Sequence, residues 1–323
     1  MALSSGQAVE ILRAAGETTR LRILALLSHE ELSVLELCRI LGQSQPRVSR
    51  HLKLLAEAGL VERFPDGAWV FYRLTVGTGG RGLVDLALGL IADGDAVLKK
   101  DADQLAAIAG ERAEAAAAYF ARNAARWDEI RSLYVSETEV ESAILDALGE
   151  EQPGLLVDLG AGTGRMLTLL GGRAGRSLGL DLSQQMLNIA RMHVGEAGLA
   201  ACELRHGDIF ATGLPDGVAD LVTVHQVLHY LNDPAAAVAE AARLIGPGGR
   251  LMIIDFAPHR LEYLREQHQH RRLGFSDEEI LRWLDAAGLE GGIDATLPTA
   301  SGEGLTVKIW SGRRAADHKR SAA

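Results

Sequence analysis

Val157-Asp158-Leu159-Gly160-Ala161-Gly162-Thr163-Gly164 reads as a buried strand that runs straight into a glycine-lined turn and then a helix. Glycines at alternate positions clear side chains from the inside of the turn, so main chain can approach a ligand there. The amides that open the following helix point at whatever lies above it. The spacing is GxGxG with an acid two residues ahead. A dinucleotide fingerprint needs GxGxxG and places its acid at the end of the next strand, so the pattern counts against NAD.

Working outward, further strand ends carry chemistry. Leu178-Gly179-Leu180-Asp181-Leu182-Ser183 is a second strand ending in a carboxylate, with Gln184-Gln185-Met186-Leu187 opening a helix behind it. Asp181 also stands where a helix N-cap is expected. A third strand around Glu203-Leu204-Arg205 ends at His206-Gly207-Asp208-Ile209, and Ala219-Asp220-Leu221-Val222-Thr223-Val224-His225 is a fourth. Gly248 to Phe256 reads as a fifth, with two late strands near 292–297 and 305–310. Strands alternating with helices in this way predict an α/β fold.

The VDLGAGTGR segment and the ordered strand ends resemble class I S-adenosylmethionine (SAM) methyltransferases. The resemblance implies a Rossmann-like, seven-stranded domain over 136–312 that binds SAM or S-adenosylhomocysteine (SAH). It places Asp158, Gly160, Ala161, Gly162, Thr163 and Gly164 beneath the methionine part of the ligand, and Asp181 on the ribose hydroxyls with Leu182 beside it. It implies Met186 against the adenine, Asp208 on the adenine amino group between Gly207 and Ile209, and the end of the fourth strand, His225, towards the methyl group.

Methyl transfer is an in-line displacement at a sulfonium, so the protein supplies alignment and, for an oxygen or nitrogen acceptor, a base. The place to look is His225-Gln226-Val227-Leu228-His229-Tyr230-Leu231-Asn232-Asp233-Pro234. His225 and His229 are candidate catalytic bases and Tyr230 a candidate hydrogen-bond partner of an acceptor; His229 equally suits a loop-shaping role. The Asn/Asp-Pro-Pro-aromatic motif of nucleic-acid amino-methyltransferases is absent, as is the Pro-Cys of cytosine-carbon enzymes. Arsenic methylation needs several thiols, and Cys202 stands alone in this half. The insertion His259 to Arg272 holds three histidines among arginines, without a fourth metal partner at a helical offset, and reads as a solvated cover near the acceptor pocket.

Before Asp158 the chain changes character. Ile11 to Leu24 holds two short amphipathic helices broken at Gly16, and Ser33-Val34-Leu35-Glu36 has capping-box spacing for a third that stops at Gly42. A fourth helix runs from Ser44 to Ala58, with Pro46 in its first turn and Gly59 as its stop. At about 100° per residue Val48, Leu52 and Leu55 point inward while Arg50 and Lys53 point outward, flanked by Arg47 and Ser49. No acid occurs from Gln43 to Ala56, which suits a helix entering a major groove, although charge alone fits a solvated face equally. Leu60-Val61-Glu62-Arg63, a turn at Pro65-Asp66-Gly67, and Ala68 to Leu74 read as a β-hairpin wing.

Residues 8–74 resemble the ArsR-type winged helix-turn-helix repressors, most clearly at Thr19-Arg20-Leu21-Arg22-Ile23-Leu24 and from Val48 to Val61. The resemblance implies contacts with double-stranded operator DNA from Gln45, Arg47, Ser49, Arg50, His51 and Lys53, with Arg63 and Arg73 near the wing. Metal-sensing members carry paired cysteines in the third helix. Here Ser33-Val34-Leu35 stands in that place and Cys38 falls on the apolar stripe, so no metal is expected.

Length and charge fit two parts. The chain has 323 residues, 47% of them hydrophobic, and a formal net charge of −10. Residues 1–74 hold nine Lys and Arg against eight Asp and Glu, so the acidity falls on the remainder, which argues against nonspecific nucleic-acid binding there. Two cysteines without metal-like spacing suit a cytoplasmic protein. The start lacks a charged-then-apolar leader and no long apolar run appears, so no membrane is expected.

Between the two parts, Gly77, Gly79, Gly80 and Gly82 suggest a flexible joint, and Leu83 to Arg131 is helical in composition with breaks at Gly94 and Gly110. Repressors of the resembled type pair through a helix after the wing, which implies a homodimer through 83 to about 108; packing within the chain is the alternative. Tyr119 to Asp128 resembles the aromatic segment that many small-molecule methyltransferases fold over the cofactor, making Tyr119 and Trp127 lid residues. The expected organisation is a winged helix over 1–75, a helical linker, dimerisation and lid segment over 76–135, the methyltransferase-like domain over 136–312 and a flexible tail over 313–323. Two functions stand: a regulator that senses SAM or SAH, or an active small-molecule methyltransferase carrying a regulatory DNA-binding domain.

Overall fold

The computed structural model describes residues 4–66, 69–75, 79–92, 94–124, 127, 136–298 and 304–316. They fall into two compact units, Met1–Glu114 and Ala115–Ala323. The division lies within the segment expected to be a linker.

In the first unit, α1 (Ser5–Ala15) and α2 (Thr18–Leu27) are separated at Gly16. The Ser4 hydroxyl and Gln7 side chain form a reciprocal capping box on α1, and the Glu17 carboxylate caps α2 by accepting from the Arg20 amide. A short β1 (Leu32–Ser33), which the sequence pattern did not suggest, leads into α3 (Val34–Leu41), where the expected Ser33–Glu36 box forms. Gly42, at φ 65°, turns the chain into α4 (Gln45–Glu57), and Gly59, at φ 69°, releases it. Val48, Leu52 and Leu55 are fully buried. They join Ile23, Leu24 and Leu37 in one core, which locks the face of α4 left for solvent.

Strands β2 (Val61–Asp66) and β3 (Trp69–Leu74) make the wing, in a sheet ordered β1-β3-β2. The expected turn at Pro65-Asp66 is instead strand, with Pro65 opposite Val70 and Asp66 opposite Trp69. Because β2 is the outer strand, the missing N–H of Pro65 is tolerated. Gly67 lies outside the described residues.

The helical segment differs from expectation in two ways. Helix α5 (Gly79–Gly89) begins inside the glycine cluster rather than after it. Helix α6 (Ala96–Asn123) then runs unbroken through Gly110, after an interruption that includes Gly94 at φ 99°. A helical glycine costs about 1 kcal/mol against alanine, and packing on both sides of Gly110 offsets it. Leu105 and Ile108 join the first core. Asp101, 2% exposed, takes both ends of the Arg22 guanidinium at 2.6 Å, and Arg112 bonds Glu30 and Glu36 at 3.0 Å.

The second unit is an α/β domain. Its elements run α7 (Glu137–Leu148), β4 (Leu155–Leu159), α8 (Arg165–Leu170), β5 (Arg176–Asp181), α9 (Gln184–Glu196), β6 (Cys202–His206), β7 (Ala219–His225), α10 (Pro234–Leu244), β8 (Ile245–Phe256), α11 (Tyr263–His268), α12 (Asp277–Ala286), β9 (Glu290–Leu297) and β10 (Val307–Arg313). The sheet order is β6-β5-β4-β7-β8-β10-β9, parallel except for the antiparallel pairing of β10 with its two neighbours. The order reverses at β4 and β7, and an open parallel sheet binds ligands at such a point, outside the carboxyl ends of its strands. The expected free tail is tied at its start: Arg313 ends β10, and the Arg314 guanidinium donates to the Ile245 and Ala242 carbonyls. Residues 317–323 lie outside the described residues.

Candidate functional site

The glycine turn is built against the neighbouring strand. The amides of Gly160 and Ala161 both donate to the Leu180 carbonyl, at 2.8 and 2.9 Å, and the Gly162 amide donates to Asp181 Oδ2 at 2.8 Å. The amides of the turn itself therefore hold β5. What stays open is the bare surface of the turn. Gly160, Gly162 and Gly164 have φ of 73°, 52° and 83°. A side chain at Gly160 would meet Val227 at 2.5 Å, whereas one at Gly162 would meet only Trp127, at 3.9 Å.

Asp158 is 1% exposed, and its Oδ1 accepts from the Thr223 hydroxyl at 2.7 Å, joining β4 to β7. Thr163 is buried, and its carbonyl lies 2.9 Å from His193 Nδ1. At the end of β5, Asp181 Oδ1 accepts from the Ser183 amide at 2.7 Å. Burial raises its carboxyl above the ordinary value, opposed by the bonds from Ser183 and Gly162. The Gly207 amide donates to the Asp181 carbonyl, and Asp208 Oδ1 caps the Phe210 amide at 3.0 Å. Ile209 is buried. Met186, expected at an adenine, is 2% exposed, while Leu182 is 61% exposed and Phe210 39%. The open apolar surface beside these carboxylates thus belongs to Leu182 and Phe210. A bare turn, a carboxylate at the next strand end and apolar surface beyond it fit an adenosyl ligand.

His225 lines a small cavity with Glu137, Val140, Glu141, Arg165, Met166 and Gln226. Glu141 and Arg165 are ion-paired there. Gln226 holds a left-handed backbone, φ 52°, and donates its amide to the Ile254 carbonyl at 2.7 Å. Such a conformation is costly for a residue other than glycine and is kept only where the surroundings enforce it.

His229 is 1% exposed, with Nδ1 2.7 Å from Asp255 Oδ1. Tyr230 lies half-buried against Phe120 at 4.9 Å and Trp127 at 6.3 Å between ring centroids. Tyr119 meets Trp127 at 6.2 Å, and its hydroxyl lies 2.7 Å from His268 Nδ1. The two lid candidates thus come together with Tyr230. The insertion is not a solvated cover: His270 is 6% exposed and its ring lies 4.2 Å from that of His229. Asp255, His259 and His270 were not singled out as site residues. An acid ending a strand was the available signal for Asp255. Among the described residues no group of His, Cys, Asp and Glu is arranged to hold a metal ion. Burial raises the Cys38 thiol and, with Asp158 adding, pushes Cys202 up to about 11.

On α4, Gln45, Arg47, Arg50 and Lys53 are exposed and Ser49 partly so. His51 turns away from them, with Nδ1 3.4 Å from Glu17 Oε2. On the wing Arg63 is exposed, but Arg73 is not presented with it. Its guanidinium is held by Glu62 across the strand pair at 3.0 Å and by Glu31 at 3.2 Å, over the Phe64 ring. The side chain of Arg73 is 13% exposed because β3 is the central strand.

Residues 17–63 match the family described as bacterial regulatory protein, arsR family, and residues 157–253 match the family described as methyltransferase domain. The chain is 47% identical over 68 residues to the arsenical resistance operon repressor of Escherichia coli, across 21% of this chain and 58% of that protein. It is 32% identical over 150 residues to a ubiquinone biosynthesis O-methyltransferase of Thiobacillus denitrificans, across 42% of this chain and 64% of that one. It is 30% identical over 183 residues to an arsenite methyltransferase of Aquipseudomonas alcaligenes, across 47% and 51%. The chain thus spans less than two thirds of the length of each of these relatives. No helix among the described residues is long and apolar enough to cross a membrane.

Proposed function

We propose that this chain, in which an ArsR-family helix-turn-helix domain precedes a methyltransferase domain, is a transcription regulator. It grips operator DNA through α4 and the wing and takes SAM or SAH as its effector in the second unit. One contrast carries the reading. The groove-facing side of α4 is complete and exposed at Gln45, Arg47, Arg50 and Lys53, whereas His229, a candidate base, is buried against Asp255. Free cysteines at 38 and 202 accord with a cytoplasmic protein.

Pairing of two copies would set two α4 helices on one duplex. Leu86 of α5 and Leu90 just after it are 62% and 80% exposed, with Val9 and Leu12 of α1 and Val97 of α6 also open, and exposed apolar side chains on neighbouring elements support association. Helix α6 supplies Asp101 and Arg112 to the ion pairs of the first unit and Tyr119 and Phe120 to the ring cluster of the second. Ligand-dependent ordering of those rings would reach the DNA-binding unit through this helix. Coupling of this kind amounts to about 1–3 kcal/mol, or about 5–150-fold in operator affinity.

The test titrates operator DNA with SAM and with SAH at one fixed salt concentration, because salt alone moves such affinities strongly. DNA-binding curves that neither ligand displaces end the sensor reading. Cofactor should also protect residues 95–130 from protease.

A second reading, an active small-molecule methyltransferase, is favoured by the placement of His225 at the end of β7 and of Tyr230 just beyond it, at the switch point of the sheet. The single cysteine of the second unit, its thiol pushed up to about 11, does not suit arsenic as the acceptor.

A further inference from the structure

Helix α6 is fastened to the first unit by charge more than by apolar packing. It has 28 residues, a length of about 42 Å at about 1.5 Å per residue, yet among its described residues Leu105 and Ile108 are the ones that join the first core. Ion pairs supply the rest of the hold. Asp101 takes the Arg22 guanidinium of α2 on both oxygens at 2.6 Å. Arg112 reaches Glu36 of α3 and Glu30, just after α2, at 3.0 Å, and Glu111 accepts from Arg39 of α3 at 2.7 Å. These contacts fall on α2 and α3, the helices that seat the recognition helix α4.

Their order along α6 is graded. The side chain of Asp101 is 3% exposed, that of Arg112 22% and that of Glu111 56%, with Arg39 also at 56%. Exposed ion pairs contribute little net stability and separate at little cost, because both charges regain water. The buried end at Asp101 is the fixed one, and the end nearer the second unit is the one that lets go. At about 100° per residue Asp101, Leu105, Ile108 and Arg112 lie on a single stripe. Seven residues further along, that stripe arrives at Tyr119, which is 6% exposed, packs edge-on to Trp127 and lies with its hydroxyl 2.7 Å from His268 Nδ1. Ala115 to Ala118 join the two ends, and alanine, the best helix former, keeps the connection stiff. A stiff helix carrying both contacts on one stripe cannot turn or slide at Tyr119 without disturbing Arg112.

We propose that α6 is a releasable strap, in which ordering of the rings around Tyr119 changes the hold of Glu111 and Arg112 on α3 and thereby the affinity of α4 for its operator. The proposal rests on the reading that the second unit takes SAM or SAH as effector, and deepens it by naming the residues at which the signal is received. Charge suits this role better than an apolar seam, whose parting would expose hydrocarbon to water.

The test uses the full chain, a duplex selected from random sequence by the wild-type protein, and SAM and SAH as the probes. Duplex affinity is measured with and without each ligand, and the ratio of the two is the quantity read. In the wild type it should lie at about 5–150-fold. Arg112→Gln should bring the ratio towards one while calorimetry shows both ligands still binding, and amide exchange over residues 100–112 should quicken while α4 stays protected. Should that variant misfold, Glu111→Arg serves, because both members of its pair are exposed; it should lower the ratio, and adding Arg39→Glu should restore it. A ratio unchanged in either variant, or undiminished protection of α6 in Arg112→Gln, overturns the strap alone. A wild-type ratio of one with both ligands overturns the effector reading and the strap with it.

Discussion

Gly162 donates its amide to Asp181 Oδ2 at 2.8 Å, so the carboxylate at the end of β5 holds the turn that follows β4. The residue expected to read a ribose also shapes the floor beneath it. Asp181→Asn keeps the shape but presents a donor to one of the two amides. Loss of one such bond costs about 1–2 kcal/mol, and SAM and SAH affinity should fall together with the melting temperature. Calorimetry beside thermal unfolding checks this; unchanged affinity would show that the carboxylate serves the fold alone.

Two glycines in the same turn should respond differently. At Gly160 a methyl group would meet Val227 at 2.5 Å on a backbone at φ 73°, so Gly160→Ala should destabilise the domain by about 2–3 kcal/mol from overpacking and backbone strain combined. At Gly162 the nearest atom would be Trp127, 3.9 Å away. Gly162→Ala should fold with a cost of about 1 kcal/mol yet bind SAM poorly, because the methyl group stands on the open face. Denaturant melts and calorimetry on the two variants separate the effects.

Arg50→Ala and Arg47→Ala should each weaken operator binding by about 1–3 kcal/mol. If either contacts phosphate rather than a base, the slope of log affinity against log salt should fall by about one. Arg73→Ala should act differently: it removes the partner of Glu62 and Glu31 and lowers stability, with a smaller effect on DNA. Fluorescence anisotropy across a salt series, with melts of the same variants, distinguishes the two. Equal DNA defects for Arg73 and Arg50 would return Arg73 to the interface.

Acid should loosen the second unit. His259 lies at about 4 instead of 6.5, chiefly through burial, and His270 is lowered for the same reason. Between those values the unfolded chain binds more protons than the folded one. Stability is therefore complete above about pH 6.5 and falls as the pH drops towards about 4. A melting series from pH 8 to 4 should show this, and His270→Phe, which keeps a ring beside Phe256, should flatten it. An unaltered slope in that variant would remove His270 from the cause.

Leu86→Glu with Leu90→Glu should leave the helical spectrum intact and turn a dimer into a monomer by light scattering, because both side chains are largely exposed in the single chain. Operator affinity should drop with the loss of the second recognition helix. A dimer that survives both charges would move the interface elsewhere.

The elements legible in the sequence were those whose signals are local. Capping at Ser33, the stops at Gly42 and Gly59, and the strand ends at Leu159, Asp181 and His225 follow from residues within a turn or two of each other. What escaped depends on sheet order. Asp255 meets His229 from 26 residues away because β7 and β8 pair, and an insertion crowded with arginines gave no hint that His270 packs inside. Arg73 read as a wing cation although its cross-strand neighbour is Glu62. The helix through Gly110 persists because Leu105, Ile108 and Arg112 are held by contacts far away in the chain.

Pro65 occupies the outermost strand of the wing, where a backbone donor would otherwise face away from the sheet. An unguarded rim of that kind recruits stray chains and seeds aggregates. With a proline there, the hairpin can be thrust out towards a duplex, exposed on that flank, without offering a template to another extended polypeptide. At that position the flank of the hairpin stays closed to strand addition.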